Sequence, residues 1–204
     1  MKHAFIMDPL ERVKAYKDTS YFLMLAACER GHQVYYLDAG DLYVKDSSVI
    51  ATAQRVNVQD DPQVPFQPES AEPVLLADMD AVWIRTDPPV DRAYFYMTML
   101  LDLLPAHVKV VNRPSTIRDW NEKLAALQYP QFTPATMVAR HSAQIIDFVH
   151  QHGRTTLKPI DGHGGAGIIF VDAEQADLES QIRLVTHGDS HWVIVQQYLD
   201  AAKE

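Results

Sequence analysis

Apolar and polar positions alternate along the chain in short blocks that read as strands and helices in turn. Ala4 to Met7 is an apolar run closed by Asp8-Pro9, the pattern of a buried strand. The apolar stretch Tyr21 to Arg30 follows the cap candidates Lys17-Asp18-Thr19-Ser20 and is stopped by Gly31, which predicts a helix. Val34 to Leu37 is a second strand, so the chain opens as a βαβ unit. Val44 to Ile50 predicts a hairpin around a polar turn. Residues 60–73 hold four prolines and few apolar side chains, which predicts a loop. The sheet resumes at Ala81 to Ile84, and Asp91 to Leu104 has the apolar density of a helix. Val108 to Val111 is a strand, and Pro114 to Leu127 reads as largely helical.

Beyond this point the pattern is strand Thr136–Ala139, helix Ser142–His152, strand Arg154–Ile160 and a glycine cluster. Strand Ile168–Val171, helix Glu174–Thr186 and strand Trp192–Gln196 follow. A boundary between Pro114 and Glu122 divides the 204 residues into a parallel α/β domain, 1–121, and an α+β unit, 122–204. There is no internal repeat and no low-complexity tract.

Composition narrows the function classes. The apolar fraction of 47% is enough for a core. A net charge of −9 without a basic run argues against nucleic acid as a partner, because phosphate backbones need clustered Lys and Arg. The one cysteine, Cys28, excludes a disulfide within the chain and makes a reducing cytoplasm the simplest compartment. The apolar run at the amino terminus is too short for a signal peptide, and no stretch approaches a transmembrane length, so no membrane partner is expected. Among nine histidines only His187 and His191 have i, i+4 spacing. Gly188 and its polar neighbours predict a loop there, so no metal site is read from them.

Four of the eight glycines fall within 162–167. Glycine lets backbone N–H groups curl toward an anion, above all a phosphate. A Walker A loop ends in Gly-Lys-Ser/Thr, whereas this one ends Ala166-Gly167-Ile168. A dinucleotide fingerprint leads into a helix, whereas this cluster leads into a strand. On glycine content alone a plain hairpin turn remains an equal alternative. Lys158 shifts the balance toward an anion site, because an ammonium in an apolar strand must be solvated or paired.

Leu157-Lys158-Pro159 with Asp161-Gly162-x-Gly164-Gly165 resembles the nucleotide-binding hairpin of ATP-grasp enzymes. Met7-Asp8-Pro9, Lys17-Asp18-Thr19-Ser20, Gly40-Asp41-Leu42-Tyr43, Arg85-Thr86-Asp87-Pro88-Pro89, Asn112-Arg113-Pro114 and Arg118-Asp119-x-Asn121-Glu122-Lys123-Leu124 resemble, in order, the prokaryotic-type glutathione synthetases. The resemblance implies a pre-ATP-grasp domain followed by the first part of an ATP-grasp domain. It implies ligation of γ-glutamylcysteine to glycine, with ATP forming an acyl phosphate on the cysteinyl carboxylate. It places Lys123 and Lys158 on the nucleotide, Lys158 near the α-phosphate and adenine edge. Gly162, Gly164 and Gly165 would fold over the β- and γ-phosphates, and Gln196, Gln197, Tyr198 and Leu199 would meet adenine. Arg85 would grip the acidic peptide, since a guanidinium can hold a carboxylate bidentately. Asp87 would orient it, and Asp18 and Ser20 either touch substrate or cap the first helix, capping being preferred. No side chain is assigned as a covalent catalyst.

The family pattern continues past Glu204, with a second glycine-rich loop and the acidic and Asn ligands of two Mg²⁺ ions. The expectation is therefore a chain inactive by itself, with Mg²⁺ held by residues not in this sequence. Two other readings stay open: a non-catalytic binding module of ATP-grasp shape, and a ligase for another carboxylate–amine pair. The resemblance also implies a symmetric homo-oligomer, with Trp83, Tyr94, Phe95 and Tyr96 as either core or interface.

Overall fold

The computed structural model describes residues 1–162 and 164–200; His163, inside the glycine cluster, and 201–204, at the end of the second unit, lie outside the described residues. The chain divides into two compact units, Met1–Asp87 with Asp91–Asp119, and Pro88–Val90 with Trp120–Glu204.

The first unit is built on a seven-stranded sheet. Strands β1 (Lys2–Ile6), β2 (Gln33–Leu37), β6 (Ala81–Ile84) and β7 (Lys109–Val111) form its parallel part, in the order β2-β1-β6-β7. Helix α1 (Thr19–Glu29) makes the connection from β1 to β2, and α2 (Arg92–Leu101) that from β6 to β7. Parity along β1 explains the layers. Ala4 and Ile6 join Val82, Ile84, Met97 and Leu101 in one buried cluster, while Phe5 and Met7 join Tyr21, Met24 and Val34 in the other. Asp18 caps α1, its Oδ1 accepting from the backbone N–H groups of Ser20 at 2.7 Å and Tyr21 at 3.1 Å.

The expected hairpin is present as β3 (Leu42–Lys45) and β4 (Ser48–Val58), and it extends the sheet antiparallel to β2. The loop expected over 60–73 is not. Phe66–Leu75 is a strand, β5, paired among the described residues with β4 alone, and Pro68 and Pro73 lie within it. An edge strand tolerates prolines because one row of its backbone groups needs no partner. Most of β5 is exposed, so no apolar alternation marked it. The helix expected over 114–127 is interrupted. Helix α3 (Pro114–Asp119) ends before Asn121, whose side chain caps the short α4 (Glu122–Ala125) by accepting from Lys123 N at 2.9 Å and Leu124 N at 3.1 Å. Arg118 holds α3 to α2 through Asp102, at 2.6 Å, and Thr98, at 3.2 Å.

The foot of the parallel sheet carries a buried histidine. Trp83 Nε1 donates to His3 Nδ1 at 3.1 Å, and His3 Nε2 faces His32 Nδ1 at 3.0 Å. An indole N–H only donates, so this arrangement requires neutral His3 with its proton on Nε2. Burial holds the His3 pKa below its ordinary 6.5, with His32 and the amino terminus lowering it further and Asp80 opposing them. The unfolded chain therefore binds a proton more readily than the native one. The stability contributed by neutral His3 is present above 6.5 and is lost as pH falls through the lowered native value. Between about pH 7.5 and about pH 5, the urea midpoint of the wild type should fall more than that of His3→Gln, whose amide oxygen can still accept from Trp83. Parallel curves for the two proteins would show that His3 does not carry this dependence.

The second unit holds a four-stranded antiparallel sheet in the order β10-β9-β11-β8. Its strands are β8 (Thr136–Ala139), β9 (Thr155–Pro159), β10 (Ile169–Val171) and β11 (Val193–Gln197). Helices α5 (Ser142–His152) and α6 (Leu178–Val185) supply Ile145, Phe148, Val149, Leu178 and Ile182 to a core with Ala139, Leu157, Val171, Val193 and Val195. Helix α6 begins later than Glu174, because residues 172–178 form turns closed by Gln175 N to Asp172 O at 3.1 Å and Leu178 N to Gln175 O at 3.2 Å.

Candidate functional site

Strand parity in the second unit places chemistry opposite the helices. Leu157 points into the core, so its neighbours Thr156 and Lys158 belong to the other face of β9. Across the ladder Gln196 pairs with Thr156, Ile194 with Lys158, Thr136 with Gln196 and Phe170 with Thr156. One sheet face therefore carries a lysine, a glutamine, two threonines and an aromatic ring.

These side chains form a directed hydrogen-bond chain. Lys158 Nζ donates to Gln196 Oε1 at 2.8 Å, Gln196 Nε2 donates to Thr136 Oγ1 at 3.0 Å, and Thr136 Oγ1 donates to the Pro134 carbonyl at 2.8 Å. Gln196 is thereby fixed with its oxygen toward the ammonium. Lys158 keeps two of its three N–H donors for other acceptors, so far as the described hydrogen bonds go.

Two clefts meet at Lys158. One, of about 410 Å³, is lined by Pro134, Thr156, Lys158, Ile168, Phe170 and the run Gln196 to Leu199. The other, of about 180 Å³, is lined by Glu122, Lys123, Lys158, Pro159, Gly162, Gly164, Gly165, Ala166 and Ile168. The first combines apolar and aromatic walls with the polar side chains of Thr156, Gln196 and Gln197, and the second combines glycines and two ammonium groups with the Glu122 carboxylate. Gly167 closes the loop with φ of +73°, and a Cβ there would lie 3.0 Å from Pro159 Cγ, so a side chain would be strained and would crowd Pro159.

Lys123 is turned toward the root of this loop. Its Nζ donates to the carbonyls of Ile160, at 3.3 Å, and Gly162, and to Glu122 Oε1 at 3.3 Å. Asn121 Nδ2 also donates to the Ile160 carbonyl at 3.3 Å. The Asn-Glu-Lys segment thus anchors the glycine loop as well as lining the cleft. Behind the larger cleft the Arg154 guanidinium lies 4.3 Å from the Tyr198 ring centre and 5.8 Å from that of Phe170. Tyr198 N donates to the Arg154 carbonyl at 2.9 Å.

The other candidate residues gather in the first unit, at the carboxyl ends of β1 and β6. The chain leaves β1 for β2 on one side and later enters β6 on the other, so this is the switch point where open α/β sheets bind ligands. Arg85 N donates to the Ile6 carbonyl at 2.7 Å, and Asp87 N to Asp8 Oδ2 at 2.8 Å. Arg85 Nε donates to Ser20 Oγ at 2.9 Å. Asp18 is occupied in capping, whereas the Ser20 hydroxyl is tied to Arg85 and does not cap. Half-buried Tyr94 belongs to the same neighbourhood. Its hydroxyl pKa is raised by burial, lowered by Arg85 and raised again by Asp87.

The sequence reading missed Thr136, Thr156, Phe170 and Arg154. Period-two parity from Lys158 pointed to Thr156, but nothing in the sequence fixed the cross-strand register that brings in the others. Among the described residues no group of three or more His, Cys, Asp or Glu could hold a metal ion, and no helix is long and apolar enough to cross a membrane.

This arrangement of a glycine-rich hairpin and lysine on an antiparallel sheet, after a parallel α/β unit, is the ATP-grasp architecture. An ATP-grasp RimK domain protein from Sphaerobacter thermophilus superimposes with a TM-score of 0.58 at 20% identity, over 98% of this chain and 64% of that one. The D-cycloserine synthetase DcsG superimposes with a TM-score of 0.63 at 16% identity, over 98% of this chain and 60% of that one. Residues 1–118 match the family model of the prokaryotic glutathione synthetase N-terminal domain, and residues 122–204 that of the prokaryotic glutathione synthetase ATP-grasp domain. The chain belongs to the prokaryotic glutathione synthetase family. Glutathione synthetases of Gloeobacter violaceus and Nitrosomonas europaea are 39% and 38% identical to it over the whole chain, which spans 65% of the length of each.

Proposed function

We propose that this chain is the nucleotide- and peptide-facing part of a glutathione synthetase, which joins γ-glutamylcysteine to glycine with ATP. In this reaction the cysteinyl carboxylate attacks the γ-phosphorus, giving an acyl phosphate and ADP. The glycine amine then attacks the acyl carbon and releases phosphate. Such chemistry asks a protein mainly for positioning and charge compensation.

The residues fit that task. The larger cleft, with the Gln196 to Leu199 edge and the Phe170 wall, suits a flat purine. The smaller one, with Lys123, Lys158 and the glycines, suits its phosphates. The glycine hairpin would exclude water from the acyl phosphate. Arg85 would hold a peptide carboxylate, with Asp87 orienting it. Mg²⁺ enters this reading only as the usual counter-charge of the triphosphate. The described residues offer no ligand set for it, and no step above runs through it. A cytoplasmic setting and a homo-oligomeric partner belong to the same proposal.

The observation that carries the reading is that Lys158 lines both clefts, where a nucleotide's base and phosphates would join. Calorimetric titration with a non-hydrolysable ATP analogue should give saturable binding at one site. Absence of binding would overturn the nucleotide assignment.

A further inference from the structure

Arg85 is exposed along its strand-end position, yet one edge of its guanidinium is already engaged. A guanidinium can hold a carboxylate in two bidentate ways, side-on through Nε and one Nη, or end-on through both Nη groups. The 2.9 Å bond from Nε to Ser20 Oγ removes the first option. Ser20 is itself fixed, being only 3% exposed and bonded through its backbone N–H to the Asp18 cap at 2.7 Å. A hydroxyl so buried is poorly placed to touch a substrate, but well placed to set the plane of the arginine that does.

We infer that Ser20 is a positioning residue that orients Arg85 to grip the carboxylate of an acidic peptide end-on, through Nη1 and Nη2. This rests on the ligase reading given above. The chain of constraint runs from the Asp18 cap to Ser20, to Arg85 Nε, and to a carboxylate approaching from the open end of the fork. Tyr94, whose hydroxyl pKa responds to both Arg85 and Asp87, belongs to the same neighbourhood. The Ser20 hydroxyl bonds Arg85, and neither residue is in the described lining of the two nucleotide clefts, so it contributes to peptide affinity and not to nucleotide affinity.

Arginine side-chain NMR and calorimetry on this chain test it, with γ-glutamylcysteine and a non-hydrolysable ATP analogue as probes. In the free wild type the Arg85 Nε–H signal should be shifted and slow to exchange, and Ser20→Ala should abolish both features. Adding γ-glutamylcysteine should move the Nη signals and leave Nε–H in place. Ser20→Ala should weaken the dipeptide roughly tenfold, the effect of one hydrogen bond to a charged group, and leave the analogue's affinity unchanged. Ser20→Thr, which keeps the hydroxyl, should recover most of the loss, and a thermal melt of each variant reports whether α1 is intact. An Nε–H signal that moves with the dipeptide, or equal dipeptide affinity in Ser20→Ala, overturns the inference alone. A wild type that binds the analogue but not the dipeptide overturns both the inference and the peptide half of the ligase reading.

Discussion

Lys158→Ala should weaken binding of an ATP analogue by roughly a hundredfold, the largest loss expected of any single side chain in the site. Among the described residues Lys158 is the one ionised group that lines both clefts, and its half-buried ammonium is directed by Gln196 rather than left to sample solvent. A charge-assisted bond to phosphate from such a position is about twice as strong as a neutral one. The variant loses that bond and also leaves Gln196 Oε1 without its donor. Lys158→Arg should not restore affinity, because a planar fork does not replace a compact point charge at the junction of two narrow clefts. Lys123 should matter less, since its three donors already meet the carbonyls of Ile160 and Gly162 and the Glu122 carboxylate. Calorimetry on the wild type, Lys158→Ala, Lys158→Arg and Lys123→Ala decides it. Wild-type affinity in Lys158→Ala would remove the central element of the nucleotide site.

How far the sequence reached can be traced through particular residues. Strands β1, β2 and β6 were legible because both their faces are buried, which writes a continuous apolar run, and helix α5 because it buries one face, which writes a period. Strand β5 was not. It is exposed on nearly every residue and holds two prolines, so it carries neither a period nor strand composition. The break at Trp120-Asn121 was hidden for another reason. An Asn inside an apolar helical stretch reads as a surface residue until its side chain is seen capping α4. At the site, Lys158 and the glycines announced themselves by type. Thr136 and Phe170 did not, because their relevance comes from the register of β8 and β10 against their neighbours, which no local pattern encodes. Residue type alone left Asp18 and Ser20 between substrate contact and capping, with capping preferred. Asp18, two positions earlier, took the amide bonds and left the hydroxyl for Arg85.

The core beneath Lys158 should be as sensitive as the lysine, but in a different measurement. Leu157 is 0% exposed and lies in the central pair of the sheet, opposite Ile169 of β10 and Val195 of β11. Leu157→Ala removes apolar contacts to α5 and α6 and leaves a cavity that a sheet pinned on both sides cannot collapse into, a loss of about 2–5 kcal/mol. Hydrogen exchange should speed up in peptides covering β8, β9 and β11, with β1 and β2 as the internal reference. Because the backbone that carries Lys158 is the same strand, the two variants separate stability from chemistry. An ATP analogue at a hundred times its dissociation constant stabilises a binding-competent unit by about 2.7 kcal/mol. It should therefore restore most of the protection lost in Leu157→Ala, whose lysine is intact, and little in a Leu157→Ala/Lys158→Ala double variant. Equal rescue of both would mean that the analogue binds elsewhere than on this sheet face. No rescue of the single variant would mean that the Leu157 side chain shapes the cleft itself and not only the core behind it.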